Sequence, residues 1–412
     1  MQINRRHFLR ETTALASAAG LSTSAVAARA AASRSFANLR DDFHLRDGQT
    51  YLNSARHYPL NVYSVQAMEA YIDHMKQDPA DESERRRLHD VKTKFANLIN
   101  AKPNEICFTP GTMAGEMILM DGLRLENTGY NVVTNDLPYS ASLYNYSKRV
   151  QHGLDLRIVK HTDWQTDLGA VERAVDAKTR LLSVAMVSNM NGYVEDVKAL
   201  SDLVHAHGGY LYTDIIQCAG SLPIDVQAMG IDFAACSMYK FLMGVHGFGF
   251  LYIREDLQGS VIKSTEMHGG VSLNYRPWVD QPDPSKDEII IGERQGAARF
   301  EVGAPPFVSY AAAEASLTLI ESLGVKKIQA HAMKLIRRLR KGMADAGFPA
   351  VTPDENGSSI ISFRVNDPQA VQNKLDRANV VVTVIPAYKL MRVSMSVFTT
   401  NEDLDRLLEA VS

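Results

Sequence analysis

A lysine that follows a mostly apolar run is the first candidate for covalent chemistry in this sequence. Residues 231–236 predict a buried strand that leads to Ser237, Tyr239 and Lys240, and a second apolar strand is predicted at 248–253 after a glycine-containing loop. A cationic lysine is costly to bury between such strands, whereas a neutral amine can bond covalently to a carbonyl carbon. The alternative is a loop lysine that reaches solvent.

Polar residues also stand at the ends of other predicted strands. Apolar strands are predicted to end at Asp214 and at Asn189, and a third is followed by Gly111, Thr112 and a helix. Because open α/β sheets bind ligands at the carboxyl ends of their strands, we expect these residues to lie close together. Each has a structural alternative, since aspartate and threonine cap helices and Asn189 is followed by the turn sequence Met190-Asn191-Gly192.

The order of these residues resembles the class V aminotransferase family, which includes cysteine desulfurases, kynureninases and isopenicillin-N-epimerase-like proteins. The resemblance runs from about Tyr51 to the C-terminus. It implies fold-type I, an α/β three-layer fold with a mostly parallel central sheet in a large domain and a smaller α+β C-terminal domain. It also implies the cofactor pyridoxal 5'-phosphate (PLP), an amino-acid-type substrate and a homodimer.

The resemblance implies a role around PLP for each candidate. Lys240 matches the Schiff-base lysine, and Asp214 matches the carboxylate that keeps the pyridine nitrogen protonated. The other cofactor-binding candidates are Gln217 and Asn189 at the phenolic oxygen, Gly111, Thr112, Ser237 and Tyr239 at the phosphate, and Tyr139 stacked on the ring. Tyr239 stands where relatives carry histidine, and its hydroxyl keeps a donor. For Tyr139 the alternative is a core aromatic.

Three further residues are candidates for binding the substrate. Arg392 matches the family arginine that binds the substrate carboxylate, and alternating apolar residues around it predict a strand. Arg56 and His57 follow Tyr51 in a segment that runs past the active-site mouth in relatives. The alternatives are a strand-end surface arginine for Arg392 and solvated loop residues for the other two.

Two departures limit the resemblance. Cysteine desulfurases need a nucleophilic cysteine shortly before the arginine, and no cysteine lies between Val381 and Arg392. Desulfuration by that route is therefore not expected. Relatives also carry Gly-Thr-Pro, whose threonine reaches the phosphate in the partner subunit, whereas this chain has Ala304 at that position.

Composition sets outer limits on function. The 412 residues are 45% hydrophobic and 22% charged, which suits a globular enzyme of about two domains. The net charge of −3 argues against nucleic-acid binding, and no apolar run beyond the N-terminal leader is long enough for membrane insertion. Three cysteines without ligand spacing predict small buried side chains, and His205 and His207 in a last helical turn do not predict a metal site.

The N-terminus is typical of an export signal. Arg5 and Arg6 precede Phe-Leu and a mildly apolar stretch, and small residues at 25–27 form a plausible cleavage site. This pattern predicts recognition by the twin-arginine translocation machinery, which carries folded proteins, and hence a periplasmic protein loaded with PLP before export. The alternative is a basic N-terminus on a disordered leader.

The chain is divided by these patterns into four parts. Residues 1–34 are the leader, 35–60 an N-terminal segment near the active site, 61–307 the large PLP-binding domain and 308–412 the small C-terminal domain. Helices are predicted over residues 63–76, 81–99, 196–207, 308–323 and 326–346, and a polar loop over 281–288. Strands alternate with helices between 105 and 253, which predicts βαβ units.

The sequence thus favours a periplasmic PLP-dependent enzyme that transforms the amino group, Cα or Cβ of an amino acid or an amino-acid-containing metabolite. Aminotransferase-type chemistry is the first expectation, with tailoring of a secondary metabolite as one role. A PLP-dependent C–S or β-lyase and an epimerase are alternatives with the same residues. Ser237-x-x-Lys240 is also the motif of serine acyl-enzyme hydrolases, although their downstream motifs are missing. A non-catalytic PLP-binding protein is the remaining alternative.

Overall fold

The computed structural model describes residues 36–78, 83–126, 128–264, 271–273, 281, 283, 290–303, 306–354 and 356–412. The predicted export leader and most of the predicted polar loop lie outside these ranges, as does Ala304. In the described part, no helix is long and apolar enough to cross a membrane.

The helices and strands are numbered here in chain order. The helices are α1 (Val62–Gln77), α2 (Ser83–Ile99), α3 (Thr112–Leu123), α4 (Ser140–Val150), α5 (Leu168–Ala174), α6 (Val197–Ala206), α7 (Phe307–Leu323), α8 (Val325–Asp345), α9 (Pro368–Arg377) and α10 (Asn401–Val411). The strands are β1 (Thr50–Tyr51), β2 (Ile106–Thr109), β3 (Asn131–Asn135), β4 (Asp155–Val159), β5 (Thr179–Ala185), β6 (Tyr210–Asp214), β7 (Phe233–Ser237), β8 (Gly249–Ile253), β9 (Val271–Leu273), β10 (Ile290–Glu293), β11 (Ile360–Arg364), β12 (Val380–Val381), β13 (Thr383–Ile385) and β14 (Leu390–Ser394). The five predicted helices are confirmed with ends shifted by at most two residues.

A mostly parallel sheet forms the centre of the large unit, as predicted. Its described strands have the order β2-β8-β7-β6-β5-β3-β4, and β8 runs antiparallel to both of its neighbours. Every residue of β2, β3, β7 and β8 is buried, which explains why β7 and β8 are almost wholly apolar rather than alternating. The carboxyl ends of β2, β3, β5, β6 and β7 therefore lie at one edge of the sheet.

The strand predicted to end at Asn189 is shorter than expected. β5 ends at Ala185, and Val187 and Val194 form an isolated bridge that closes a turn. Gly192 occupies the left-handed region inside this turn, with φ of 75°. The side chain of Asn189 consequently leaves from a turn beyond the sheet.

A smaller α+β unit completes the fold. β11, β14 and β13 form an antiparallel sheet, and β1 from the N-terminal segment pairs in parallel with β12. The hydrophobic core of this unit joins Leu52 to residues of α8 to α10 and of the small sheet. The predicted capping box at Thr400 and Asp403 is present at the start of α10.

The packing of α7 differs from the predicted domain boundary at residue 308. Buried residues of this helix, including Tyr310 and Ile320, belong to the core of the large unit. Residues of the next helix from Ala332 onwards belong to the core of the small unit. The two cores therefore meet within α8, because α7 packs against α1 and α2.

Candidate active site

All predicted site residues line one cavity of about 620 Å³ at the carboxyl edge of the central sheet. They are Arg56, His57, Gly111, Thr112, Tyr139, Asn189, Asp214, Gln217, Ser237, Tyr239, Lys240 and Arg392. The large unit supplies most of them, the N-terminal segment supplies Arg56 and His57, and the small unit supplies Arg392. The cavity thus lies where the two units and the N-terminal segment meet.

Lys240 lies in the turn that follows β7, where its backbone carbonyl accepts the N–H of Met243 at 2.8 Å. The side chain points into the cavity rather than to solvent, which argues against the alternative of a free loop lysine. Burial lowers its pKa to about 8, Asp214 opposes this shift, and Arg392 lowers the pKa further. About a tenth of the amine is therefore neutral and nucleophilic at pH 7, far more than for an ordinary lysine.

Asp214 is the last residue of β6. Its Oδ1 accepts the backbone N–H of Ile216 at 2.9 Å, so the carboxylate closes a short turn and does not cap a helix. Burial raises its pKa to about 6 despite the nearby charge of Lys240. A buried carboxylate of this kind is suited to pair with a cationic ring nitrogen.

The ends of β2 and β7 form an anion cradle. The backbone N–H of Thr112, at the first turn of α3, donates to Ser237 Oγ at 2.9 Å, and the two hydroxyl oxygens lie 3.1 Å apart. A Cβ added at Gly111 would lie 2.8 Å from Ser237 Oγ, and one at Gly249 would overlap the carbonyl oxygen of Cys236. Glycine at both positions therefore lets the end of β2, the start of β8 and the end of β7 approach closely. The N-terminus of α3, which attracts anions, lies beside them.

Two amide side chains present buried oxygens without a partner among the described residues. Gln217 donates from Nε2 to the carbonyl oxygen of Ala55 at 3.1 Å, while its Oε1 has no partner. Oδ1 of Asn189 is also buried and has none. A buried oxygen without a hydrogen-bond partner destabilises the folded protein, so these two atoms indicate a bound ligand that donates hydrogen bonds to them.

Aromatic side chains border the cavity at its mouth. Tyr139 is 50% exposed at the N-cap of α4, so the alternative of a core aromatic does not hold. Tyr239 stacks on His246 with ring centroids 4.0 Å apart, and His246 meets His57 edge to face at 4.9 Å. His246 was not among the predicted site residues, and its position in the loop after Lys240 is the sequence feature that indicates it.

Arg392 occupies the middle of β14 and is only 6% exposed, which excludes a surface arginine. Its Nη1 donates to the carbonyl oxygen of Asn189 at 2.5 Å and its Nη2 to Thr383 Oγ1 at 3.2 Å. Its Nε has no partner, and no carboxylate among the described residues pairs with it. Burial lowers its pKa to about 10, with Arg56 as a second cause. A buried guanidinium in this state is a ready site for a carboxylate.

Asn53 and Thr383 position this guanidinium, and neither was among the predicted site residues. Thr383 Oγ1 accepts from Arg392 and donates to Asn53 Oδ1 at 2.7 Å. Asn53 and Thr383 are 330 positions apart in the chain, so no local pattern could have found this contact.

The comparisons with known proteins agree with this geometry. Residues 64–407 match the family described as Aminotransferase class-V. The chain belongs to this family. It is therefore a PLP-dependent enzyme of the transferase or lyase type, as predicted.

Among similar proteins, a probable cysteine desulfurase of Methanothermobacter thermautotrophicus is 29% identical over 91% of this chain and 96% of its own length. An uncharacterized aminotransferase of Bacillus subtilis, YcbU, is 24% identical over 78% of this chain and 82% of its own length. The apo structure of cysteine desulfurase from Thermococcus onnurineus NA1 has a TM-score of 0.78 at 22% identity, covering 90% of this chain and 96% of that one. A C-DES mutant with glycine covalently linked to its PLP cofactor has a TM-score of 0.80 at 21% identity, covering 90% and 98%.

The residues of the cavity fit PLP. The cradle beside Gly111 and Ser237 provides neutral donors for a phosphate, and the orphaned oxygens of Gln217 and Asn189 lie in the same cavity. Lys240 provides the amine. The hydrogen bonds of Ser237 Oγ go to Thr112, which gives no support to a serine acyl-enzyme mechanism.

Proposed function

We propose that the protein transforms the amino group or the Cα of an amino acid, or of a metabolite that contains one, by aminotransferase-type chemistry. The observation that carries this proposal is the buried guanidinium of Arg392, which pairs with no carboxylate among the described residues and lies in the same cavity as Lys240. The charge of Arg392 also contributes to the lowered pKa of Lys240, which supports a carboxylate site in the same cavity as the reactive amine. An α-amino acid carries a carboxylate and an amine on one carbon and would satisfy both.

The roles of the residues follow from their positions. PLP, when bound, supplies an electron sink for the electron pair that is released at Cα. Asp214 would hold the protonated pyridine nitrogen, and Lys240 would bind the cofactor and move a proton at Cα. Arg392 would orient the substrate carboxylate through its free Nε and the remaining N–H groups. Tyr139, exposed at the mouth, would cover the ring.

Desulfuration by a protein thiolate has no support in the residues. The three cysteines, Cys107, Cys218 and Cys236, are fully buried, and burial raises the pKa of each thiol well above its usual range. None of them lines the cavity. A buried, protonated thiol cannot accept sulfur from a substrate in that cavity.

A PLP-dependent C–S lyase is the second candidate. The names of several relatives, such as the probable cysteine desulfurase, favour C–S bond cleavage. Elimination from Cβ releases the sulfur with the leaving group and does not require a protein thiol. Epimerisation at Cα uses the same residues, with a proton returned to the opposite face.

A panel of amino acids distinguishes these reactions. The cofactor-loaded protein is incubated with each amino acid, with and without a keto-acid acceptor, and the products are separated by chromatography. Formation of a new amino acid from the acceptor supports transamination, release of ammonia and sulfide supports the lyase, and a change of configuration supports epimerisation. If no amino acid is converted while the cofactor is bound, the protein is a non-catalytic binder and the proposal fails.

We further propose that the protein is exported by the twin-arginine pathway and works in the periplasm. The support is the sequence around Arg5 and Arg6. Cell fractionation tests this, with Lys at both positions as the matched variant. Periplasmic protein for the natural sequence and retention of the variant are expected, and equal distribution of both would contradict the proposal.

We also propose a homodimer, because the family's active sites usually form between two subunits. Light scattering of the loaded protein should give twice the chain mass of 45.6 kDa before signal removal. A stable monomer that keeps its activity would contradict this.

A further inference from the structure

The cavity carries more positive than negative charge. Of the described residues that line it, Arg56, Lys240 and Arg392 are basic, whereas Asp214 is the acidic one. Burial and neighbouring positive groups lower the pKa of His57, so this imidazole is neutral near neutral pH. Under the proposed function, Asp214 and Lys240 are engaged by the cofactor. The two guanidinium groups then remain for the substrate.

Arg56 is held in place although its side chain is exposed. The N–H groups of Arg56 and His57 donate to the carbonyl oxygen of Asn53 at 2.9 and 3.3 Å. Tyr51 donates its hydroxyl proton to the carbonyl oxygen of His57 at 2.7 Å, which closes the same turn. The turn therefore presents the Arg56 side chain from a fixed backbone.

The turn is joined to the guanidinium of Arg392 by a short chain of hydrogen bonds. Arg392 donates to Thr383 Oγ1, and Thr383 donates to the side-chain Oδ1 of Asn53. The backbone carbonyl of the same Asn53 holds the turn. The N–H of Ala55 donates to Ser394 Oγ at 2.9 Å on the strand that carries Arg392. The backbone at Arg56 is thus tied to the strand that carries Arg392.

The two positive charges lie close enough to oppose each other. The charge of Arg56 lowers the pKa of Arg392, and none of the described carboxylates forms an ion pair with Arg56. The charge of Arg392 also reaches Lys240, whereas Arg56 acts on Tyr51, His57 and Arg392. Arg392 is only 6% exposed, whereas the side chain of Arg56 is exposed, so Arg56 lines the solvent side of the cavity.

We propose that the substrate carries two acidic groups, with its α-carboxylate at Arg392 and a second carboxylate at Arg56. The substrate is then an amino acid of the aspartate or glutamate type, free or as the acidic end of a larger metabolite. This inference rests on the proposed function and specifies its substrate class. A second carboxylate relieves the repulsion between two like charges, which no neutral side chain of the same shape can do.

The rival occupant of the Arg56 site is the phosphate of the cofactor. The neutral donors at Gly111, Thr112 and Ser237 already form an anion cradle within the large unit. The test therefore uses protein that is loaded with PLP, so that the phosphate is in place.

The test compares two unreactive acids of nearly identical shape that lack an amino group. Glutarate has two carboxylates, and glutaramate replaces one of them with an amide. Their affinities for the loaded, full-length protein are measured by titration calorimetry at low salt. Because one charge-assisted pair is at stake and Arg56 is exposed, we expect glutarate to bind about tenfold more tightly.

Three variants separate the contributions. Arg56→Gln should remove the preference for glutarate and leave the affinity for glutaramate unchanged. Arg392→Gln should weaken the binding of both acids. Arg46→Gln, an exposed arginine of the same segment outside the cavity, is the matched control and should change neither.

A kinetic readout follows from the outer position of Arg56. Arg56→Gln should raise KM for the acidic substrate about tenfold and leave kcat unchanged, because the residue does not reach the reacting atoms. A merely structural role would lower kcat and the affinity for both acids together.

Several results would overturn the inference. These are equal affinity for the two acids, no binding of glutarate, a preference that survives in Arg56→Gln, or a preference that disappears once PLP is bound. If the loaded protein converts amino acids but shows no preference, the substrate class alone is wrong. If the protein takes up no PLP, the proposed function fails together with this inference.

Discussion

Replacing Asp214 by asparagine should stabilise the cofactor-free protein and at the same time abolish its activity. The pKa of Asp214 is raised by burial to about 6, against about 3.9 for an exposed aspartate. Each pH unit of this difference corresponds to about 1.36 kcal/mol, so ionising the carboxyl costs the folded state up to about 3 kcal/mol. Asparagine keeps the oxygen that accepts the Ile216 N–H and removes the charge.

The sign and the pH range of the effect follow from proton linkage. The folded state binds more protons than the unfolded state between the two pKa values, so the stability contributed by Asp214 falls as the pH rises from about 4 to about 6. Above this window the penalty is constant. The advantage of Asp214→Asn should therefore be close to its maximum at pH 8 and about half as large at pH 5.

Thermal unfolding of the cofactor-free protein is the assay. An unfolding entropy of about 2.1 cal/mol/K per residue over roughly 370 residues converts about 3 kcal/mol into about 4 °C of Tm at pH 8. Glu195→Gln is the matched control, because burial raises the pKa of Glu195 to about 7 and this residue lies outside the cavity. It should raise Tm without loss of activity.

The activity of Asp214→Asn should fall at least 100-fold, because the pyridine nitrogen loses its carboxylate partner. Two results would refute the reasoning. One is a variant that melts at the same temperature as the natural protein at pH 8, which would mean that the carboxylate carries no desolvation cost. The other is a variant with undiminished activity.

Further predictions concern single atoms of the site. The rate of covalent PLP uptake should increase as the pH rises, with a midpoint near pH 8, because the pKa of Lys240 is lowered to about 8. Stopped-flow absorbance measures this rate, and a midpoint above pH 10 would contradict the prediction. Thr383→Val removes the hydroxyl between Arg392 and Asn53, so steady-state kinetics should show KM raised about tenfold. Thr383→Ser should restore KM, and an unchanged KM in Thr383→Val would argue against a role of Thr383 in positioning Arg392. Ser237→Ala should weaken PLP binding in equilibrium dialysis about tenfold, and unaltered binding would exclude Ser237 from the phosphate site.

Much of the cavity could be predicted because its residues follow strands. A parallel sheet brings all its carboxyl ends to one edge, so Asp214 and Lys240 had to converge once their strands were recognised. Arg392 could be placed because the apolar residues alternate around it and bury it in β14. In these cases the local pattern and the topology give the same answer.

Other features could not be predicted because they depend on contacts between distant segments. Thr383 meets Asn53 only after β1 has paired beside β12. The assignment of α7 to the large core depends on its packing against α1 and α2, and its sequence does not show this. Tertiary contacts of this kind leave no periodic pattern in the sequence.

The most direct test of whether Lys240 binds PLP covalently is to locate the cofactor on the chain. The PLP-loaded protein is reduced with borohydride, digested, and analysed by mass spectrometry, with Lys240→Ala beside it. A PLP adduct is expected on the peptide that contains Lys240, and none is expected in the variant. An adduct on a different lysine, or no adduct in a protein that still converts amino acids, would contradict this.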